Sequence, residues 1–138
     1  MKKADREKIF NKYGGKCAYC GCDLVKGWHV DEIEPVRRNH VWNMDKKRWD
    51  MDKNNPMSHP ERFTISNQNP SCASCNINKH SMSLEEFRKL IGGFMKHLNE
   101  ANTQYKIAKR YGLVTETGNE VKFYFECLTS PIVGEEME

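Results

Sequence analysis

Two Cys-x-x-Cys pairs constrain this chain more than any other feature: Cys17-Ala18-Tyr19-Cys20 near its start and Cys72-Ala73-Ser74-Cys75 near its middle. Each pair is a knuckle that aims two thiols at one point. Two knuckles together supply the corners of a closed tetrahedral zinc site with no position left for substrate, so the expected Zn²⁺ is structural. Two disulfides or two redox pairs would use the same spacing, and Cys22 and Cys127 stand outside it. The opening Met1-Lys2-Lys3-Ala4-Asp5-Arg6 runs into charge instead of an apolar leader. A cytoplasmic setting is therefore expected, which favours zinc over disulfides. At 138 residues the chain is expected to form one domain, 1–138, with a core modest enough to benefit from a metal.

Local patterns place the remaining elements. Ala4 to Tyr13 reads as a short helix stopped by Gly14-Gly15. Leu24-Val25 and Trp28 to Ile33 read as a hairpin about Lys26-Gly27, with Pro35 ending its second arm. From Val36 to Arg62 there is no clean period, and a loop that long in a compact domain is usually functional. Phe63-Thr64-Ile65-Ser66 reads as a short strand, and the second knuckle opens a short helix through Asn76 and Lys79. Ser83-Leu84-Glu85-Glu86 is a capping box. The helix beyond it carries Leu84, Phe87, Leu90, Ile91, Phe94 and Leu98 on one core-facing stripe, with a bend expected at Gly92-Gly93. Thr103 to Tyr111 reads as another helix, and Val121 to Phe125 as an alternating or edge strand. No apolar run is long enough to cross a bilayer.

The formal net charge of +3 is too mild to announce a polyanion-binding protein. Its distribution says more. Acid concentrates at Gly134-Glu135-Glu136-Met137-Glu138, and base concentrates at Arg37, Arg38, Lys46, Lys47 and Arg48. Trp42, Met44, Trp49 and Met51 are interleaved with those cations. Either the tryptophans tuck into the core and the charges are merely solvated, or the cations hold phosphates while the rings lean on bases or sugars.

Between the knuckles lies Trp28-His29-Val30-Asp31-Glu32-Ile33-Glu34-Pro35, and around the second one runs Asn67-Gln68-Asn69-Pro70-Ser71-Cys72-Ala73-Ser74-Cys75-Asn76-Ile77-Asn78-Lys79. With Cys17-Ala18-Tyr19-Cys20-Gly21 before them and Ser83-Leu84-Glu85-Glu86-Phe87-Arg88 after, this order of motifs resembles the zinc-containing HNH endonucleases of bacteriophages. The resemblance spans most of the chain. It implies an α+β fold, with a ββα-metal core braced by the four-cysteine zinc site and wrapped by flanking helices. It also implies hydrolysis of DNA phosphodiesters, with Asp31 and Asn76 holding a catalytic Mg²⁺ or Mn²⁺ and Asn67 orienting the loop that carries the general base. DNA is then the expected partner, and a role in processing or packaging phage DNA beside a terminase follows from the same likeness.

One position departs from the pattern. The family motif is Asp-His-Ile-x-Pro, with the histidine as base, whereas this chain has Glu32 there. A free glutamate titrates near 4.3 and a histidine near 6.5, so the exchange weakens the base. Three readings follow: Glu32 serves as a slower base; the chain is catalytically silent; or His29, on the same strand face as Asp31, takes the role. His80, one helical turn beyond Asn76, is either a third ligand or a surface residue. From other classes, a non-catalytic zinc module that binds DNA or a protein through the basic segment remains open, as does a thiol-disulfide protein.

Overall fold

The computed structural model describes residues 1–128, so the acidic segment Gly134–Glu138 lies outside the described residues. The elements follow the order α1 (Lys3–Asn11), β1 (His29–Glu32), β2 (His40–Asn43), β3 (Arg48–Met51), β4 (Gln68–Ser71), α2 (Ala73–Lys79), α3 (Leu84–Gly92), α4 (Phe94–Ala101), α5 (Thr103–Arg110) and α6 (Tyr124–Leu128). No described helix is long and apolar enough to cross a membrane.

Two antiparallel two-stranded sheets organise this mixed helix-and-strand chain. β1 pairs with β4 in the register His29↔Ser71, Val30↔Pro70, Asp31↔Asn69 and Glu32↔Gln68, and α2 follows β4 and packs back on β1. β4 is entirely buried although it reads Gln-Asn-Pro-Ser. Several of its polar groups are met from outside the strand: Lys12 Nζ on the turn after α1 donates to Gln68 O at 2.9 Å and Asn69 Oδ1 at 3.1 Å, and Ala18 N donates to Pro70 O at 2.8 Å, whereas the buried Asn69 Nδ2 has no partner among the described residues.

The core sits between the first knuckle, α3 and the segment before α6. Tyr19 meets Phe87 and Phe123 edge-on, at centroid distances of 5.6 and 5.4 Å, and Phe87 stacks on Phe123 at 5.5 Å. Burying each phenylalanine is worth about 2–3 kcal/mol. Gly21 takes φ 73°, and a Cβ there would lie 2.9 Å from Tyr124 Cδ2, so the knuckle turn requires glycine twice over.

Several sequence expectations are corrected. The proposed hairpin about Lys26-Gly27 is absent: residues 25–28 form only a turn, Trp28 N to Val25 O, and β1 takes β4 as its partner. The strand expected at Phe63–Ser66 lies five residues later, at Gln68–Ser71, because Ile65–Asn67 forms a single 3-10 turn first. Instead of a featureless loop, residues 36–62 hold the β2–β3 hairpin. Its turn is closed by Asn43 Oδ1, which accepts from Asp45 N and Lys46 N.

The stripe on the long helix divides at Gly93, where α3 ends and α4 begins. Phe87 is buried, whereas Phe94 is exposed. The Ser83 capping box has both of its bonds, Glu86 N to Ser83 Oγ at 3.3 Å and Ser83 N to Glu86 Oε2 at 2.7 Å. The strand expected at Val121–Phe125 is not formed: residues 121–123 have no regular structure and α6 begins at Tyr124. The free amides of the first turn of α6 bind the first knuckle instead, Tyr124 N donating to Tyr19 O at 3.0 Å and Phe125 N to Ala18 O at 2.9 Å.

Candidate metal centre and cleft

The two knuckles converge. The Sγ atoms of Cys17, Cys20, Cys72 and Cys75 all lie within 4.8 Å of one another, and none of these cysteines is in a disulfide. A tetrahedral zinc with Zn–S bonds of 2.3 Å sets its sulfurs about 3.8 Å apart. Cys20 Sγ and Cys72 Sγ are separated by 3.8 Å. Backbone amides already face two of the sulfurs, Cys72 N to Cys17 Sγ at 3.3 Å and Cys75 N to Cys72 Sγ at 3.4 Å.

The electrostatics match a cluster made for a cation. A hydrogen bond from the Cys75 thiol, helped by backbone amides, pulls Cys17 down to about 4, while the same bond drives Cys75 upward. Burial raises the Cys20 thiol as well, and a dication held by the four sulfurs would be bound as thiolates with release of protons. Cys22, pushed up to about 12 by its hydrogen bond to Cys20, stands beside this cluster. The four thiols can hold a metal ion, and the chemistry of the donor set fits structural zinc.

Next to the thiols lies a buried charge pair. Asp31 Oδ2 is 3.0 Å from Lys79 Nζ, and the two side chains are 5% and 0% exposed. Tyr19 OH donates to the same oxygen, and Lys79 Nζ also donates to Glu32 O at 2.7 Å. Burial lifts the Asp31 carboxyl above its ordinary value, against the opposing pull of Lys79 and Tyr19. Burial, followed by the charge of Asp31, raises the Tyr19 hydroxyl as well. Neither Lys79 nor Tyr19 was assigned a place in the site from sequence. The signal that could have found Lys79 is its position on the helix opened by Cys72, facing the strand that carries Asp31.

Asn67 clamps the turn that follows β1. Its Nδ2 donates to Glu34 O at 2.9 Å and to Arg62 O at 3.0 Å, and its Oδ1 accepts from Glu34 N at 2.9 Å. Ile33 N adds a bond to Asn67 O at 2.8 Å. The backbone just beyond Glu32 is thereby fixed from both sides.

Glu32 is half-buried and lines a cleft of about 210 Å³ with Pro35, Val36, His80 and Ser81. Burial first, and then the charge of Asp31, raises its carboxyl above the ordinary value, with Lys79 and Arg38 opposing. Pro35 also borders a second hollow of about 350 Å³, whose lining includes Arg37 and Arg62. Arg62 was not singled out in the sequence, yet its NH1 reaches Pro35 O at 3.3 Å. His80 is exposed and takes φ 50°, ψ −127°, a backbone conformation natural only to glycine. His29 is likewise exposed.

Asn76 is half-buried on α2, and its side chain makes no hydrogen bond among the described residues. Asp31 and Asn76 would offer a hard cation two oxygens, which suits Mg²⁺ or Mn²⁺, but Lys79 already counters the Asp31 charge and would weaken that binding. Beyond the four cysteines, no group of three or more metal-ligating His, Cys, Asp or Glu side chains is found among the described residues.

The five basic residues do not form one patch. Arg37 and Arg38 lie at the base of the hairpin, where Arg38 bridges to Met57 and Arg37 NH2 reaches Ser81 O at 3.5 Å. Lys46, Lys47 and Arg48 lie at its far end, roughly 20 Å along the strands. Compared with known proteins, the chain matches no family model, no curated protein and no solved structure.

Proposed function

We propose that this chain is a metal-dependent DNA endonuclease of the HNH type in which Glu32 holds the general-base position, with weak or absent activity as the sequence stands. The observation that carries the reading is the two-sided clamp of Asn67 on Glu34, on the turn leaving an antiparallel strand pair that runs straight into the knuckle helix. That is the role the resemblance gives the middle asparagine of the motif.

Within this reading each residue has a task. Asn67 fixes the loop so that Glu32 keeps its place at the cleft. Glu32 accepts a proton from water, and the hydroxide attacks phosphorus as the bond to the leaving ester oxygen breaks. Burial raises the carboxyl of Glu32, which makes it a stronger base than a free glutamate. Arg37 and Arg62 line the neighbouring hollow and suit phosphate oxygens. A Mg²⁺ or Mn²⁺ held by Asp31 and Asn76 would take up charge on the phosphate.

A second reading, a non-catalytic zinc module that binds DNA, is favoured by one observation: Lys79 neutralises the carboxylate that the catalytic ion would need. The phage role beside a terminase rests on the resemblance alone. Soaking crystals in Mn²⁺ separates the two readings. The nuclease reading expects an anomalous peak against Asp31 and Asn76, and signal at the cysteines alone would overturn it.

A further inference from the structure

The β2–β3 hairpin stands away from the core as an arm, and its two faces differ. Register places His40 opposite Met51 and Trp42 opposite Trp49 on one face, with Val41, Asn43, Arg48 and Asp50 on the other. The second face is tied together by its own side chains: Asn43 Nδ2 donates to Asp50 Oδ2 at 2.8 Å, and Arg48 Nε meets Asp50 Oδ1 at 2.7 Å. The first face has no such partners. Trp42 and Trp49 meet edge-on, with centroids 5.6 Å apart and planes at 69°, and remain 46% and 64% exposed.

A two-stranded hairpin is marginal in water by itself, and a pair of tryptophans this open adds little to a core. The stability of the arm comes instead from its polar face and from the ladder at its base, where Asp52 N donates to Asn39 O at 2.9 Å and Asn39 N to Pro56 O at 3.0 Å. The indole faces are thus left for a ligand. Residues 36–59 carry six lysines and arginines against three aspartates; Asp50 is paired with Arg48 and Lys46, and Asp52 accepts from Asn54 N, so the segment keeps a positive excess. Lys47, at φ 47° in the turn, makes no ion pair among the described residues. The charge next to the rings therefore favours a polyanion over an apolar peptide or a second copy of this chain.

We propose that this arm grips unpaired nucleic acid strands, with Trp42 and Trp49 stacking on splayed bases while Lys47, in the turn, holds a phosphate beside them; Lys46 and Arg48 reach Asp50 on the opposite face and add only to the positive field of the arm. An aromatic ring can cover a base face only where that base is not already stacked within a duplex, whereas lysines and arginines serve either form. The inference deepens the nuclease reading, on which it rests for its consequence: the substrate becomes DNA with a single-stranded stretch, such as a flap, fork or gap.

The test uses the zinc-loaded full chain without added Mg²⁺ or Mn²⁺, so that binding is read without cleavage. Fluorescence anisotropy compares a labelled twenty-nucleotide oligo-dT with a duplex of the same length. The proposal expects oligo-dT to bind about tenfold or more tightly than duplex. The double variant Trp42→Ala/Trp49→Ala should lose about tenfold or more in oligo-dT affinity with duplex affinity nearly unchanged, and Trp42→Phe/Trp49→Phe should recover most of the loss.

Duplex binding as tight as oligo-dT binding, or an alanine pair that binds oligo-dT like the parent, would overturn it. So would a dimer in sedimentation that the alanine pair abolishes, because the rings would then be a self-association surface. Failure of the Glu32→His variant to nick plasmid with Mg²⁺ or Mn²⁺, with the oligo-dT preference intact, would sink the nuclease reading and leave the arm's role standing.

Discussion

Lys79 Nζ lies 3.0 Å from Asp31 Oδ2 with both side chains buried, so α2 is bound to β1 by a charge pair inside the protein. Buried pairs of this kind add little net stability when intact but are costly to break, because the surviving charge is left without water or a partner. Lys79→Met should destabilise by about 3–5 kcal/mol in urea unfolding. Adding Asp31→Asn should restore part of that loss, since the orphaned carboxylate is then gone. A single variant as stable as the parent would mean that the pair is not formed in solution.

The link between α3 and α6 sets a pH dependence. Arg88 spans Glu85 and both oxygens of Glu126, and Phe123 N donates to Glu126 Oε2 at 2.9 Å. The hydrogen bonds from Arg88 hold the Glu126 carboxyl below its ordinary value of 4.5. A depressed carboxyl stabilises the fold above its unfolded pKa, and that stability is lost as pH falls through the folded pKa. Because the pair is partly exposed, the contribution is about 1 kcal/mol or less. Stability should therefore decline below about pH 4.5, and Glu126→Gln should be less stable than the parent at neutral pH and show a shallower acid decline.

Metal removal should be felt throughout the domain. The first knuckle carries Tyr19 into the aromatic core, and the second opens α2, so loss of the ion loosens both sides of the β1–β4 pair. A chelator should remove one zinc per chain and abolish cooperative unfolding, and Co²⁺ reconstitution should give the visible bands of a tetrahedral thiolate site. Cys17→Ser should lower zinc affinity and melting temperature together. Full melting behaviour in chelator would argue that the thiols are not a metal site.

His80 holds a glycine-like backbone at the lip of the Glu32 cleft. A non-glycine residue there costs on the order of 1–3 kcal/mol, partly offset by glycine's greater freedom in the unfolded chain. His80→Gly should therefore stabilise by about 1 kcal/mol in chemical unfolding. A loss of stability would show that the imidazole makes a contribution greater than the strain it imposes.

What could be read from the sequence was what depends on neighbours along the chain. The knuckles follow from spacing, and the Ser83 capping box is closed by residues three apart. β4 was hidden because Gln68-Asn69-Pro70-Ser71 has no strand composition, and the partners of its buried carbonyls, Lys12 and Ala18, lie far away in sequence. The β2–β3 hairpin was hidden for a different reason: its turn, Met44–Lys47, contains no glycine or proline, and its apolar face looks to solvent. Asp31 and Lys79 were each legible as charged residues. Their pairing was not, because it exists only once β1 and α2 pack together.

Plasmid nicking with Mg²⁺ or Mn²⁺ tests the central claim most directly, comparing the parent with Glu32→His and with Glu32→His/Asn67→Ala. If Glu32 occupies the base position, the histidine variant should nick supercoiled DNA about a hundredfold or more faster than the parent, and a chelator or the added Asn67→Ala should abolish the gain. Equal inactivity of the parent and Glu32→His, with zinc content and folding unchanged, would contradict the account and leave a zinc module that binds without cutting.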